Sequence, residues 1–161
     1  MITFARLQIP AILVLLLTAC ANSSAAKAEP TWTPDPCLAS NMNATVKPVN
    51  DLQREFNDAS ELAANLPREQ LQPSIAEMQR IRREAEDQAF PACLESLKAH
   101  QLAHMNAVID TLISFVGGAD VDTLNRGMAQ ARNEYDQYTF EMARLLGVTL
   151  VPASETPTFA P

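Results

Sequence analysis

Two histidines, His100 and His104, stand four residues apart. On a helix that spacing puts both imidazoles on one face, and two imidazoles bind a metal when a third ligand approaches. Glu77 and Glu134 are the carboxylates that a helical packing could bring near them. Met78, Met105, Met128 and Met142 add a second chemistry, a b-type haem held between a methionine and a histidine. Each has a plainer counterpart. Methionine at helical spacing is ordinarily core filling. A histidine on an apolar stripe is ordinarily a core residue whose ring nitrogen satisfies a buried hydroxyl, here Tyr135 for His104 and Tyr138 for His100. The plainer reading is the one adopted: no Glu-x-x-His of the di-iron bundles occurs, nor any His-Glu-x-x-His, Gly-x-Ser-x-Gly or phosphate-cradling glycine loop. The whole chain has only four glycines.

Helices must position these groups. Val49, Leu52, Phe56, Ala59, Ala63 and Leu66 alternate spacings of three and four, which predicts a first helix from about Val49 to Leu66. A second is expected to start between Pro67 and Pro73, near Pro73, proline being tolerated in a first turn, with Ser74 and Glu77 at capping-box spacing. Leu71, Ile75, Met78, Ile81 and Ala85 form its apolar side, and it ends near Ala89. A third runs from about Ala92 to Val116, with Leu94, Leu97, His104, Val108, Leu112 and Phe115 on one stripe, and stops at Gly117-Gly118. The fourth starts behind Asp120, a good N-cap, and closes at Gly147. It carries the cleanest heptad in the chain: Val121, Leu124, Met128, Ala131, Tyr135, Tyr138, Met142 and Leu145. No strand-like alternation interrupts the pattern. Four amphipathic helices joined by short turns predict an all-α, up-down-up-down bundle. With the last turn centred near 118–119, His104 falls level with Asn133 to Tyr135 and His100 level with Gln137 and Tyr138; the same estimate for the second and third helices puts Glu77 level with His104.

The N-terminus carries an address. Arg6 is the sole charge before an apolar run from Ile9 to Leu17, which is too short for a transmembrane helix of roughly 20 apolar residues. Leu17-Thr18-Ala19-Cys20 follows. These four residues resemble the lipobox of bacterial lipoproteins. The resemblance covers residues 1–20 and implies cleavage before Cys20, diacylglycerol on its sulfur, and an extracytoplasmic place in the bacterial cell envelope. Two or three acyl chains, at about 0.8 kcal/mol per buried methylene, anchor stably where one is marginal.

Lipid on Cys20 leaves Cys37 and Cys93 as an even pair in an exported chain, which favours a disulfide between them. The topology agrees, because the starts of helices one and three lie at the same end of such a bundle. The bridge contributes on the order of 4 kcal/mol in the chain-entropy model and is expected to pin a loop flap, 37–48, across the bottom of the bundle.

The domain plan is therefore a cleaved signal peptide at 1–19, a lipidated cysteine and flexible tether at 20–36, a helical domain at 37–147 and a loose tail at 148–161. The tether is rich in small, polar and proline residues that build no core, and it reaches roughly 20 Å if flexible. A net charge of −7, one unit more negative without Arg6, is repelled by nucleic acid. The expected function is a non-enzymatic structural or interaction module on a membrane anchor, without cofactor, serving a protein or small-molecule partner. Metal or haem binding through His100 and His104 is one alternative. An enzyme with a cleft under the 37–48 flap is another.

Overall fold

In the computed structural model, which describes residues 34–150, four helices follow one another: α1 (Met42–Ala64), α2 (Leu71–Asp87), α3 (Glu95–Val116) and α4 (Val121–Leu146). Single 3-10 turns at Arg68–Gln70 and Ala92–Leu94 lead into α2 and α3. Sequential neighbours pack on each other, and α4 lies closely along α3 while only grazing α1. The all-α, up-down-up-down bundle expected from the heptads is the fold. Among the described residues no helix is long and apolar enough to cross a membrane. The lipobox, Cys20, most of the tether and tail residues 151–161 lie outside the described residues.

The first correction is at the bottom of the bundle. No loop flap spans 37–48, because α1 starts at Met42 and carries Pro48 inside it. A helix-interior proline costs about 3 kcal/mol, the reason to begin the helix after it. Met42 and Val46 are buried against Leu94, Leu97 and Tyr138, and each such burial contributes roughly 1.5–3 kcal/mol. Two of them match or exceed the proline penalty. Pro48 is itself exposed, so the Ala44 carbonyl that it leaves unbonded is on the outer face, where water can serve it. A cleft roofed by that flap does not exist.

The Cys37–Cys93 bridge is present, with Cα atoms 5.9 Å apart. It ties the turn before α1 to the turn before α3, the end-matching that the bundle topology requires. Around it the chain folds on itself: Asn41 Nδ2 donates to the Asp35 carbonyl at 2.8 Å, and Thr45 Oγ1 to the Pro36 carbonyl at 2.8 Å.

The start of α2 falls within the expected range, while its end and its cap differ. α2 begins at Leu71 and ends at Asp87. Pro73 is its third residue, where the missing N–H is one the helix leaves unbonded in any case. No Ser74–Glu77 capping box forms, since Ser74 already lies inside the helix and no side chain caps its start. Lys98, buried to 3% exposure, caps the other end, its Nζ donating to the Gln88 carbonyl at 3.5 Å and lying 5.2 Å from the Phe90 ring centre. Burial lowers its pKa. Asp120 caps α4 as expected, accepting from the Thr123 N–H at 2.8 Å. Gly147 closes α4 in the left-handed region, with φ 67°.

Candidate functional site

The polar residues of the interior gather where α1, α3 and α4 meet. α1 presents Asn50, Gln53 and Asn57 to that seam, spaced three and four apart and therefore on one stripe. α3 supplies His100, Gln101 and His104, and α4 supplies Glu134, Tyr135 and Tyr138. Gln101, fully buried, donates from Nε2 to the Val49 carbonyl at 2.7 Å. Gln53 Nε2 donates to Asn57 Oδ1 at 2.8 Å, and Asn57 Nδ2 to the Tyr135 hydroxyl at 3.5 Å. The Tyr138 hydroxyl donates to Asn50 Oδ1 at 3.3 Å, and burial raises its pKa. The Oε1 atoms of Gln53 and Gln101 are buried without a protein partner.

The histidines are in this seam, but with partners other than those expected. His104 Nδ1 donates to the Ala131 carbonyl at 2.9 Å. Tyr135 contributes only its ring, tilted at 5.1 Å centre to centre, and Phe56 packs edge-on at 5.8 Å. The cause is the size of Ala131. With only a methyl there, the imidazole reaches the backbone behind it, and a helical carbonyl has a second lone pair to offer. His100 Nδ1 meets Glu134 Oε2 at 3.0 Å rather than Tyr138, whose hydroxyl is taken by α1. Both partners fall two to three residues earlier on α4 than a straight antiparallel register gives. Burial lowers the pKa of His104, against smaller upward contributions from the Ala131 hydrogen bond and the Glu134 charge.

Glu77 takes no part. It accepts from Arg80 on an exposed face, where Arg80 also bonds Glu55 and Glu84, and the Arg80 hydrogen bond lowers its pKa. The triad His100, His104 and Glu77 is therefore not assembled. Glu134 reaches His100 but not a shared point with His104, whose Nδ1 is committed to backbone. Among the described residues no group of three or more His, Cys, Asp or Glu side chains converges as a metal site. Met78 and Met105 are wholly buried core residues.

Above the polar seam α1 and α4 part. Gly127 is the reason that α4 leans toward α3: a Cβ there would lie 2.2 Å from Thr111 Oγ1, so glycine lets the two helices close up. The opposite edge of α4 is only partly covered, α1 reaching it at Tyr135 through Asn57. Val121, Met128 and Tyr135, all on the expected heptad, are 69%, 55% and 38% exposed. Beside them runs an open, mainly apolar groove of about 220 Å3, lined by Ser60, Ala64, Val108, Leu112, Met128 and Ala131.

Sequence reasoning missed Gln53 and Gln101, although each carried a signal. Gln101 stands between Leu97 and His104 on the α3 stripe, and Gln53 between Val49 and Phe56 on α1, so both are polar residues at core spacing. Ser60 and Ala64 gave no signal, since small residues fit a packed seam or an open one equally.

No family model, curated protein or solved structure matches this chain.

Proposed function

We propose that this chain is a bacterial envelope lipoprotein, anchored through Cys20, whose helical domain serves as a non-enzymatic interaction module. One observation carries the module reading. The polar groups of the interior are spent largely on each other and on backbone, while the most regular apolar heptad in the sequence has an edge only partly covered beside a groove. Exposed apolar positions that line a groove are a common form of protein interaction site, and an exposed a/d edge suits a helix or an extended apolar segment. The anchor reading is supported by Leu17-Thr18-Ala19-Cys20 behind a short apolar run.

Two measurements test these halves separately. Cys20→Ala should move the chain from the membrane pellet to the soluble fraction of its native host, and continued membrane retention would refute the anchor. A photo-crosslinking residue at Met128, on the groove, should give a discrete adduct in membranes. The same residue at Phe140, which is 57% exposed on the outward side of α4, should give none. Equal labelling from both positions would refute a specific surface.

A further inference from the structure

The exposed edge of α4 is symmetric about its own middle. Met128 stands at the centre, with Val121 seven residues before it and Tyr135 seven after, about 10 Å to either side along the helix. All three are exposed, and the heptad spacing keeps them on one stripe. The charges beside them follow the same plan with opposite signs. Asp122 lies six residues before Met128 and Arg132 four residues after it, both exposed. Among the described residues neither makes an ion pair within the chain.

Reversing the helix about Met128 lays Val121 on Tyr135 and Met128 on Met128. It also brings Arg132 within one turn of Asp122, on the same flank of the edge, where the long guanidinium side chain spans the offset. A parallel copy would instead set Asp122 against Asp122 and Arg132 against Arg132. A two-fold interface requires this self-complementarity, because each patch meets its own reverse; an unrelated partner makes no such demand on the sequence. Asp136 falls beyond the apolar contacts, level with Asp120 of the other copy, a like-charge approach at the rim that salt screens. Met128 also walls the apolar groove of about 220 Å3. The axis carries Met128 of the other copy toward that opening, and an unbranched thioether adapts to an irregular gap.

We propose that the partner of this edge is a second copy of the chain, with the two α4 helices packed antiparallel about a two-fold axis at Met128. This rests on the reading of the edge as the working surface and names its occupant. The contact is small. From Val121 to Tyr135 is about 21 Å of helix, and one helix edge of that length buries well under the roughly 800 Å2 per partner of a stable complex. Association is therefore weak in dilute solution. Copies held by lipid on one membrane meet at the raised effective concentration that such a contact needs.

The test uses the full chain in membranes of its native host. With Cys37 and Cys93 already bridged to each other, Met128→Cys should join two copies by a disulfide under mild oxidation, well above the yield from Phe140→Cys. Val121→Cys and Tyr135→Cys should each stay single when produced alone and should join each other when produced together. Arg132→Glu should lower the Met128→Cys dimer yield about fivefold, two exposed ion pairs being lost, and Asp122→Arg should do the same. The two reversals combined should restore the yield. Both side chains are exposed and unpaired within the chain, so these changes do not endanger the fold. A Met128→Cys yield no higher than that of Phe140→Cys overturns the proposal, as does Val121→Cys joining itself, or a yield indifferent to either charge reversal. If these fail while a photo-crosslinker at Met128 still gives a discrete adduct of some mass other than twice the chain, the interaction module stands and the second copy is refuted. If no adduct forms at all, both fall.

Discussion

Gly127 offers the sharpest test of the helix packing. Its replacement by alanine in a solvated helix would stabilise by about 1 kcal/mol through propensity alone. Here the added Cβ would lie 2.2 Å from Thr111 Oγ1 and 3.2 Å from Thr111 Cβ. The hydroxyl is held by its bond to the Ala107 carbonyl at 2.7 Å, so relief requires giving up that bond or moving α4. Overpacking of this kind costs about 1–3 kcal/mol, leaving Gly127→Ala between neutral and about 2 kcal/mol destabilised. Thr111→Ala removes the nearest atom and the methyl behind it. The double variant should therefore recover most of the loss, with a coupling of about 1–2 kcal/mol in a double-mutant cycle. Urea unfolding followed by circular dichroism, with the disulfide intact, reads all four corners. Each kcal/mol also moves Tm by about 4–6 °C in a domain of this size. If Gly127→Ala alone raises stability by the full propensity gain, or if the two changes simply add, then α4 does not press on α3 at this point. Its parting from α1 would then need another cause.

Other consequences are expected. Replacing both Cys37 and Cys93 with alanine should lower stability by about 4 kcal/mol in the chain-entropy model, read as a drop in the urea midpoint; an unchanged midpoint would show that Met42 and Val46 hold the start of α1 unaided. His104 titrates with a folded-state pKa below its ordinary value of 6.5 because it is buried. The unfolded chain therefore binds the proton first, and stability should fall as pH drops below about 6.5. In His104→Leu that decline should be shallower between pH 6.5 and 5, whereas equal slopes in the two chains would show that His104 does not contribute. Lys98, buried as the α2 cap, should be acetylated far more slowly than exposed Lys47 in the folded chain and at a similar rate in urea, as peptide mass spectrometry would show.

The histidine seam illustrates how far a pattern carries. Spacing alone placed His104 on a buried stripe and His100 beside it, and both are there. Their partners depended on which side chain on α4 was small, and on α1 having engaged both tyrosine hydroxyls through Asn57 and Asn50. Those are facts about three helices together, and no single heptad contains them. Pro48 teaches the same lesson with a magnitude: a local penalty of about 3 kcal/mol marks a boundary when read along the chain, yet the burial of Met42 and Val46 against α3 and α4 outweighs it.

The sequence by itself determined the number of helices, their order, the cap at Asp120, the stop at Gly147 and the pairing of Cys37 with Cys93. Periodicity, caps and cysteine parity are local or countable properties, and burial of an amphipathic face leaves few alternatives once they are set. Only the tertiary structure decided that α4 would side with α3 and leave Val121 and Met128 exposed. A heptad records that a helix has an apolar face but not how much of it the neighbours reach. That depends on the close approach of α3 that Gly127 permits, where an added Cβ would lie 2.2 Å from Thr111 Oγ1, and on how Asn50 and Asn57 of α1 bond the α4 tyrosines, effects that meet only in the folded chain.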